Sequence, residues 1–392
     1  MRIERSVQKR VLIQYNCIPH YRWPIFECLS RCEEPEFLII ADKSSETPYL
    51  ETILDSAGKS IRHVSMKTWI IRLPLLPDLY WQPGAVRYLW RERPSAAIAL
   101  GSPYSVTAWA MVISGKLLKI PVLLWGHGLL GKESGVKWKI RKLFMQLATG
   151  QLLYGDHAKA LLIGAGFDPK SLYVVYNSLN YDKQARIFEK IDSNNIQEWR
   201  RQLGVKEGEG LIAFTGRLQP VKRLDILVKA VARLRARGRR VHIALVGDGS
   251  ERQALADLAI SLEVADLLHL LGANYKEEYL GLVLRASDLC VVPSGAGLSV
   301  MHALTFGTPV VLHDRVEHHF PEWEAIEEGK TGFYYRFGDT DDLAEKVEQA
   351  IFPVPAKNKM EGFCRAVIRD RYNPQFQKEM FVKAITNLSK ER

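Results

Sequence analysis

Cysteine is scarce in this sequence, with five among 392 residues, and no pair has the Cys-x-x-Cys spacing typical of zinc and redox sites. We therefore expect no disulfide framework and predict a reducing, cytoplasmic location. Long apolar runs are also missing, because no window approaches the roughly 18 uncharged residues that a membrane span needs. The charged start leads directly into a strand-like run, which is not typical of a signal peptide.

Acidic residues are under-represented in the first half of the chain. Residues 1–190 contain 26 Lys and Arg against 16 Asp and Glu, whereas residues 191–392 contain 28 of each. Seven of the nine tryptophans also lie in the first half. A basic, tryptophan-rich half predicts an anionic partner such as phosphate or acidic lipid headgroups. Nucleic acid would also explain the charge, but no recognition motif supports it, so we expect no nucleic-acid partner.

Short apolar runs alternate with amphipathic stretches along the chain, and this alternation is typical of parallel sheets covered by helices on both faces. The pattern predicts an α/β protein of two doubly wound, Rossmann-like domains that face each other across a cleft. We place the N-terminal domain at 1–180, completed by a C-terminal helix at 372–392, and the second domain at 181–371, with a polar seam near 180–197. Predicted strands lie at 11–15, 37–41, 96–100, 122–125, 151–154, 173–175, 211–214, 242–246, 268–271, 289–292 and 309–312. Predicted helices include 105–116, 136–149, 224–237, 250–261, 277–286, 301–305, 340–351 and the tail from 357 onward.

Three loops in the second domain each follow a predicted strand and enter a helix. In the first, Gly216 permits a tight turn, and Arg217 and Lys222 are placed to hold two phosphates near a helix N-terminus. In the second, Gly247 begins a Gly-x-Gly turn that precedes Ser250, a predicted N-cap. The alternative interpretations are a solvated basic helix start for the first loop and an ordinary strand-to-helix turn for the second.

The third loop consists of small residues. Ser294, Gly297, Leu298 and Ser299 lie in this segment, ahead of the predicted helix at 301–305. Glycine at 295 and 297 lets a ligand approach the backbone closely, and the helix N-terminus favours an anion. Three such loops at strand carboxyl ends predict a binding site for a phosphorylated ligand.

These segments resemble the GT-B-fold retaining glycosyltransferases of family 4, most strongly over about 205–350. Gly-Arg-Leu at 216–218 with Lys222 is similar to the segment that holds the donor diphosphate in that family. Gly-Asp-Gly at 247–249 is similar to its Gly-x-Gly turn, and 293–311 to its donor-sugar loop and helix. The resemblance implies a GT-B fold, a nucleotide-sugar donor and a final helix that returns to the first domain.

The sequence departs from the family pattern at two positions. Counted from Gly297, the two glutamates of the family are replaced here by Ser294 and His302. In the family, the first contacts the sugar and the second holds the ribose. Histidine and serine can still bind hydroxyl groups, although more weakly than a carboxylate. The alternative is that the protein has lost catalysis and that His302 is an ordinary helix residue.

In the first half, His127 stands between two glycines at the end of a predicted strand. The resemblance implies an important histidine at about this point, so we predict that His127 is catalytic and contacts the donor sugar. The alternative is a structural loop histidine. The loop after the first strand contains His20 and Arg22, which are candidates for contact with an acceptor phosphate.

A basic amphipathic helix is predicted after 132. Its cations and tryptophan are candidates for acceptor or membrane contact, and they are Lys137, Trp138, Lys139, Arg141 and Lys142. Its predicted apolar face consists of Val136, Ile140, Leu143, Phe144 and Leu147. The two interpretations are a core-packed helix with a solvated basic face, and contact with an anionic membrane surface. Both can hold together.

The remaining candidate residues do not indicate a metal site. His318 and His319 are adjacent and do not share a helix face, so they do not indicate a metal site, and Glu322 either contacts the donor or caps its loop. No Asp-x-Asp motif implies a metal-held diphosphate. We therefore expect no metal and no cofactor, with Arg217, Lys222 and helix dipoles stabilising the leaving nucleotide.

The resemblance, together with these residues, implies a retaining glycosyltransferase. It would transfer a sugar from UDP or GDP to a lipid-linked or phosphorylated glycan acceptor, in surface polysaccharide or lipopolysaccharide biosynthesis. We expect it in the cytoplasm, peripheral on the inner face of the cytoplasmic membrane. The alternatives are a non-catalytic GT-B protein that binds nucleotide or glycan beside an active transferase, and an epimerase, for which no persuasive set of acid and base carboxylates is present.

Overall fold

The structure, a computed structural model, describes residues 10–42, 61–73 and 77–390. Contacts divide the chain into two units. The N-unit comprises residues 1–179 together with 374–392, and the C-unit comprises residues 180–373. Among the described residues, no helix combines the length and the apolar character needed to cross a membrane.

The N-unit is built on a seven-stranded parallel sheet with the strand order β3-β2-β1-β6-β7-β8-β9. A separate antiparallel pair, β4 and β5, lies in the same unit. The strands are β1 Arg10–Cys17, β2 Glu36–Asp42, β3 His63–Ser65, β4 Trp69–Ile71, β5 Leu79–Trp81, β6 Ala96–Leu100, β7 Val122–Gly126, β8 Gly150–Leu153 and β9 Leu172–Val174. The helices are α1 Trp23–Ser30, α2 Pro83–Glu92, α3 Val106–Leu118, α4 Gly135–Leu147 and α5 Asp156–Gly164.

The C-unit repeats this plan with a six-stranded parallel sheet in the order β12-β11-β10-β13-β14-β15. Its strands are β10 Gly210–Thr215, β11 Val241–Val246, β12 Leu268–Gly272, β13 Leu289–Val291, β14 Val310–His313 and β15 Gly332–Tyr335. Its helices are α6 Tyr181–Lys190, α7 Ser193–Gln202, α8 Leu224–Ala236, α9 Arg252–Ser261, α10 Glu277–Ala286, α11 Leu298–Thr305, α12 Thr340–Ile351 and α13 Lys357–Arg371.

The central strands are buried on both faces, which is why they read as continuous apolar runs. In the N-unit, one face of the sheet is covered by α1 and the last helix, α14 Pro374–Lys390, and the other by α2 to α5. The ring of Phe381 on α14 packs edge-on against Trp125 of β7, with ring centroids 4.9 Å apart. This contact anchors the final helix in the N-unit core.

In each unit, the strand order reverses once. The reversal lies between β1 and β6 in the N-unit and between β10 and β13 in the C-unit. The loops that leave the two strands at such a point diverge to opposite sides and open a crevice at the carboxyl edge of the sheet. Each unit therefore has one preferred place for a ligand.

Several sequence-based predictions need correction. Strands β3, β4, β5 and β15 were not predicted, because each is only three or four residues long and largely half-exposed, so neither a buried run nor a clean alternation marks it. The polar seam near 180–197 is largely helical, because α6 and the first half of α7 lie there. Helix α6 buries Ile187 and Phe188, and a capping box that joins Asp192 and Asn195 begins α7. Ser250 does not cap α9, which begins at Arg252.

Candidate functional site

Two loops of the C-unit are pressed together at the carboxyl edge of its sheet. The backbone N–H of Leu218, after β10, donates to the carbonyl oxygen of Asp248, after β11, at 2.9 Å. A Cβ on Gly249 would lie 2.2 Å from the carbonyl oxygen of Leu218, and one on Gly247 would lie 1.8 Å from that of Gly216. Side chains at 247 and 249 would hold these backbones apart, so glycine is required at both positions.

The two predicted phosphate-binding cations lie in and just after the first of these loops. Arg217 is exposed, and Lys222 ends a short 3₁₀ turn at 220–222, two residues before α8 begins. Helix α8 thus begins at Leu224, as the sequence predicted, and Arg217 lies in the turn that follows β10. Burial is the larger cause, and the positive charge of Arg217 the smaller one, that holds the pKa of Lys222 below its usual range. Two cations this close form a site for an anion with more than one negative charge.

Lys222 also connects this loop to the third predicted loop. Its Nζ donates a hydrogen bond of 2.7 Å to the carbonyl oxygen of Gly295, after β13. Because β10 and β13 flank the reversal of strand order, this contact lies at the crevice of the C-unit. The structure therefore joins the predicted phosphate-binding loop to the predicted sugar loop.

The sugar loop, 294–297, is held in place by a histidine that sequence reasoning did not assign to it. The backbone N–H of Ala296 donates to His319 Nδ1 at 3.2 Å, and Nε2–H of His319 donates to the carbonyl oxygen of His313 at 3.1 Å. The first bond requires neutral imidazole, because a protonated Nδ1 could not accept a hydrogen bond. Burial is the main cause that lowers the pKa of His319 to about 4 and that of His313 to about 3.

The next residue continues this support. The backbone N–H of Phe320 donates to the carbonyl oxygen of Ala296 at 2.8 Å, and its side chain packs against Gly297, the residue before Leu298 and Ser299 on α11. Sequence reasoning considered the His318–His319 pair only as possible metal ligands. The pair follows β14, and this position at the end of a strand was the one signal that could have placed it near the site. Glu322 follows in a short 3₁₀ segment and is buried.

His302, on α11, has a carboxylate beside it. Gln184 Nε2 on α6 lies 3.4 Å from His302 Nδ1 and donates to Glu277 Oε2 of α10 at 3.1 Å. The same Glu277 oxygen lies 3.8 Å from His302 Nδ1. A negative charge is thus present near this position, although it comes from a different helix than in the family pattern. Sequence reasoning missed Glu277 and Gln184, because nothing in their local pattern links them to His302.

In the N-unit, Arg22 and His127 come together after β1 and β7. Arg22 is buried, and its guanidinium carbon lies 4.9 Å from the ring centroid of Tyr154 and 5.2 Å from that of Trp125. The ring of His127 packs edge-on against Tyr154 with centroids 4.9 Å apart. His20 is exposed beside this group.

The electrostatics of this cluster concern the charge state of His127. Burial is the larger cause and the charge of Arg22 the smaller cause that lower the pKa of His127 to about 4. The imidazole is therefore neutral at physiological pH and can both donate and accept hydrogen bonds. This form suits hydrogen bonding to a sugar hydroxyl.

The predicted apolar face of α4 is confirmed at Phe144 and Leu147, which pack on the core, and is wrong at its other three residues. Phe144 is buried, but Val136, Ile140 and Leu143 are exposed. The reason is that Phe144 and Met145 suffice to anchor the helix on the core, and Trp138 packs there as well.

The basic candidates on α4 separate into two groups. Arg141 forms a 2.7 Å ion pair with Glu133, and Lys142 Nζ donates to the carbonyl oxygen of Ala165 at 2.7 Å. Lys137 and Lys139 are exposed.

Within the described part of the chain, no group of three or more His, Cys, Asp or Glu side chains is arranged to hold a metal ion.

Comparisons with known proteins identify similar families and folds. Residues 195–360 match the family model described as glycosyl transferases group 1. A D-inositol 3-phosphate glycosyltransferase from Mycobacteroides abscessus is 31% identical over 221 residues, which cover 54% of this chain and 45% of that protein. One from Nocardia farcinica is 37% identical over 156 residues, 37% of this chain and 34% of that protein. This chain thus covers less than half the length of these relatives.

Solved structures match over nearly the whole chain at low sequence identity. Anabaena Alr3699/HepE in complex with UDP has a TM-score of 0.72 at 17% identity and covers 97% of this chain and 100% of its own. The lipopolysaccharide outer core galactosyltransferase WaaB has a TM-score of 0.70 at 14% identity, with 97% and 99% covered. At these identities, the similarity establishes the GT-B fold.

Proposed function

We propose that this chain, a GT-B protein whose residues 195–360 match the family model of glycosyl transferases group 1, is a retaining glycosyltransferase. It transfers a sugar from a nucleotide-sugar donor, with UDP or GDP as the leaving group, to a hydroxyl of a lipid-linked or phosphorylated glycan. Its place is surface polysaccharide or lipopolysaccharide biosynthesis, at the inner face of the cytoplasmic membrane.

The observation that carries this proposal is the hydrogen bond from Lys222 Nζ to the carbonyl oxygen of Gly295. It brings an anion-binding loop and a small-residue loop with an open backbone to one crevice. A nucleotide sugar has the matching chemistry, because its diphosphate is anionic and its sugar carries neutral hydroxyl groups.

The chemistry follows from where charge develops. As the bond between the sugar and the diphosphate breaks, negative charge grows on the leaving phosphate. Arg217 and Lys222 are placed to stabilise that charge, so we expect the reaction to proceed without a metal or cofactor. We keep His127 as the group that donates a hydrogen bond to the sugar, since its imidazole is neutral at physiological pH.

Two observations support the acceptor class. The similar proteins from Mycobacteroides and Nocardia are named for a phosphorylated acceptor, inositol 3-phosphate. The N-unit has 27 Lys and Arg against 16 Asp and Glu, which favours an acceptor or surface with negative charge.

The test is calorimetric titration of UDP, GDP and their sugars into the metal-free protein. We expect one nucleotide to bind with a Kd in the micromolar range, about −8 kcal/mol. Arg217→Ala should weaken this binding about tenfold to a hundredfold, because a charge-assisted contact contributes about 1.5–3 kcal/mol. Arg369→Ala is the control, since Arg369 is an exposed arginine of the same unit that pairs with Asp370. If a folded protein binds none of these nucleotides, the proposal is wrong.

A second candidate function is a non-catalytic GT-B protein that binds nucleotide or glycan beside an active transferase. The observation that favours it is Ser294 and His302 in place of two glutamates. Hydrolysis or transfer of a bound nucleotide sugar separates the two functions. The transferase is supported if turnover falls in His127→Ala and if NMR shows that the product keeps the anomeric configuration of the donor. Tight binding without turnover on any acceptor supports the non-catalytic protein.

A further inference from the structure

An exposed apolar stripe runs along α4 of the N-unit. Val136, Ile140 and Leu143 are 72%, 52% and 53% exposed, and their spacing of four and three residues places them on one side of the helix. An exposed apolar residue is ordinary when single, but three in one row along a helix indicate an interaction surface.

The stripe continues onto the neighbouring helix α3. Leu117 is 70% exposed, and Ile113 lies one turn before it on the same side. The two helices are in direct contact, with the rings of Trp109 and Phe144 4.8 Å apart. A cavity of about 290 Å³ lies between their C-terminal ends, and its lining includes Lys116 and Leu147. We group the exposed apolar residues of these two contacting helices as the α3–α4 face and define it by Ile113, Leu117, Val136, Ile140 and Leu143.

The charged side chains within α3 and α4 are all positive. Lys137 and Lys139 border the stripe on α4, and Lys116 and Lys119 lie at the end of α3; all four are exposed. Neither helix contains an Asp or a Glu. The nearby carboxylate of Glu133 is paired with Arg141. A partner for this face is therefore apolar where it meets the stripe and anionic where it meets the lysines.

We propose that the α3–α4 face docks on an anionic phospholipid bilayer. Helix α4 lies in the plane of the membrane surface, with its apolar stripe at the boundary of headgroups and acyl chains. The exposed lysines extend to the phosphates. Lys137 and Lys139 are among the residues that the sequence suggested, whereas Trp138 and Arg141 are turned toward the protein. Docking there would place the protein where a lipid-linked acceptor is found. This role of the face rests on the proposed function.

The position of α4 in the fold explains why docking there would serve catalysis. Helix α4 begins at Gly135, and the segment 127–134 joins it directly to His127 at the end of β7. The N-terminal end of α4 therefore lies near the carboxyl edge of the sheet. A membrane held against α4 brings lipid headgroups close to that edge of the N-unit.

The test is flotation of the full chain with vesicles of equimolar phosphatidylglycerol and phosphatidylcholine, compared with vesicles of phosphatidylcholine alone. We expect binding to the anionic vesicles only. Ile140→Glu should reduce the partition coefficient at least tenfold, because it places a charge in the apolar stripe. The control is Ile260→Glu, which changes an isoleucine that is 66% exposed on α9 of the C-unit. It should bind like the wild type.

A second pair of variants tests the electrostatic part. The double variant Lys137→Gln, Lys139→Gln should bind roughly fivefold more weakly for each lysine removed. Lys206→Gln with Lys276→Gln, two exposed lysines of the C-unit, is its control. Because all the changed side chains are exposed, each variant should unfold at the wild-type Tm.

Three outcomes overturn the proposal. The wild type fails to bind anionic vesicles, or Ile140→Glu binds as well as Ile260→Glu, or the wild type is a dimer that Ile140→Glu converts to a monomer without any vesicle binding. The last result would assign the face to a second copy of the chain. Vesicle binding needs neither donor nor acceptor, so titration of the same variants with UDP and GDP reports separately on the proposed function.

Discussion

The two units share one scaffold but build their candidate sites by different means. In the C-unit, backbone atoms of three loops form the site, and Gly247 and Gly249 let two of these loops touch. In the N-unit, side chains from distant parts of the sequence form it, with Arg22 enclosed by aromatic rings beside His127. The comparison teaches that a site made of backbone leaves a local pattern in the sequence, whereas a site made of packed side chains does not. The family match accordingly covers 195–360.

The charges of the units differ as well. The N-unit has 27 basic and 16 acidic side chains, and the C-unit has 27 and 28. The C-unit therefore concentrates positive charge at one crevice against a nearly neutral background, while the N-unit has a general excess. A small anionic ligand suits the first distribution, and an extended anionic surface suits the second.

The largest expected effect comes from breaking the backbone contact of the C-unit. Gly249→Ala places Cβ against the carbonyl oxygen of Leu218 and must push the two loops apart. We expect the free energy of unfolding to fall by about 3 kcal/mol, and nucleotide binding to be lost. Urea unfolding and calorimetric titration measure these two quantities.

The control for this change is Gly362→Ala on α13, where an added Cβ meets nothing within 4 Å. Alanine there should stabilise the protein by about 0.5–1 kcal/mol, because glycine is a poor helix former. If Gly249→Ala is as stable as the wild type and still binds nucleotide, close backbone approach is not what builds the C-unit site.

An intermediate effect is expected from acid. His313 and His319 stay neutral in the folded C-unit, with pKa values lowered to about 3 and about 4. The unfolded chain binds these protons near pH 6.5, so stability is complete above that pH and falls as the pH drops toward 4. Between pH 6.5 and 5, one such imidazole should cost about 2 kcal/mol. The Tm should therefore decrease over this range.

Two variants test whether histidines of the C-unit or of the N-unit cause this loss of stability in acid. His319→Asn keeps an acceptor for the N–H of Ala296 and removes the titrating group, so its Tm should depend less on pH than that of the wild type. His127→Asn removes the corresponding histidine of the N-unit, whose pKa is also lowered to about 4. A Tm in His319→Asn that falls as steeply as in the wild type would show that this histidine is not responsible.

The smallest expected effect is a change in the pKa of His127 when the buried Arg22 of the N-unit is replaced. Arg22→Met removes a positive charge near His127, so the pKa of His127 should rise from about 4 while staying below 6.5, because burial is the larger cause. NMR titration of the imidazole Cε1–H measures it. Arg31→Met is the control, since Arg31 is exposed and pairs with Glu27 on the same unit. An unchanged pKa in Arg22→Met would mean that burial alone keeps His127 neutral.

Much of the C-unit site could be predicted from the sequence, and the residues show why. Gly216, Arg217 and Lys222 are near neighbours in the chain, and the strand that precedes them fixes their place at the edge of the sheet. The contact between Lys222 and Gly295 could not be predicted, because it depends on β10 and β13 being adjacent. His319 is held to the sugar loop by a hydrogen bond across 23 residues, a distance at which no local pattern remains.

The sequence by itself determined the two doubly wound sheets, since buried parallel strands must be apolar throughout and their helices must be amphipathic. It also determined the glycine-rich turns that bring backbone to the crevice of the C-unit. Only the tertiary structure decided which side of α4 faces solvent, because Phe144, Met145 and Trp138 compete with Val136, Ile140 and Leu143 for the same core. It likewise decided that Glu277 lies beside His302, since side chains on different helices meet only when the helices pack.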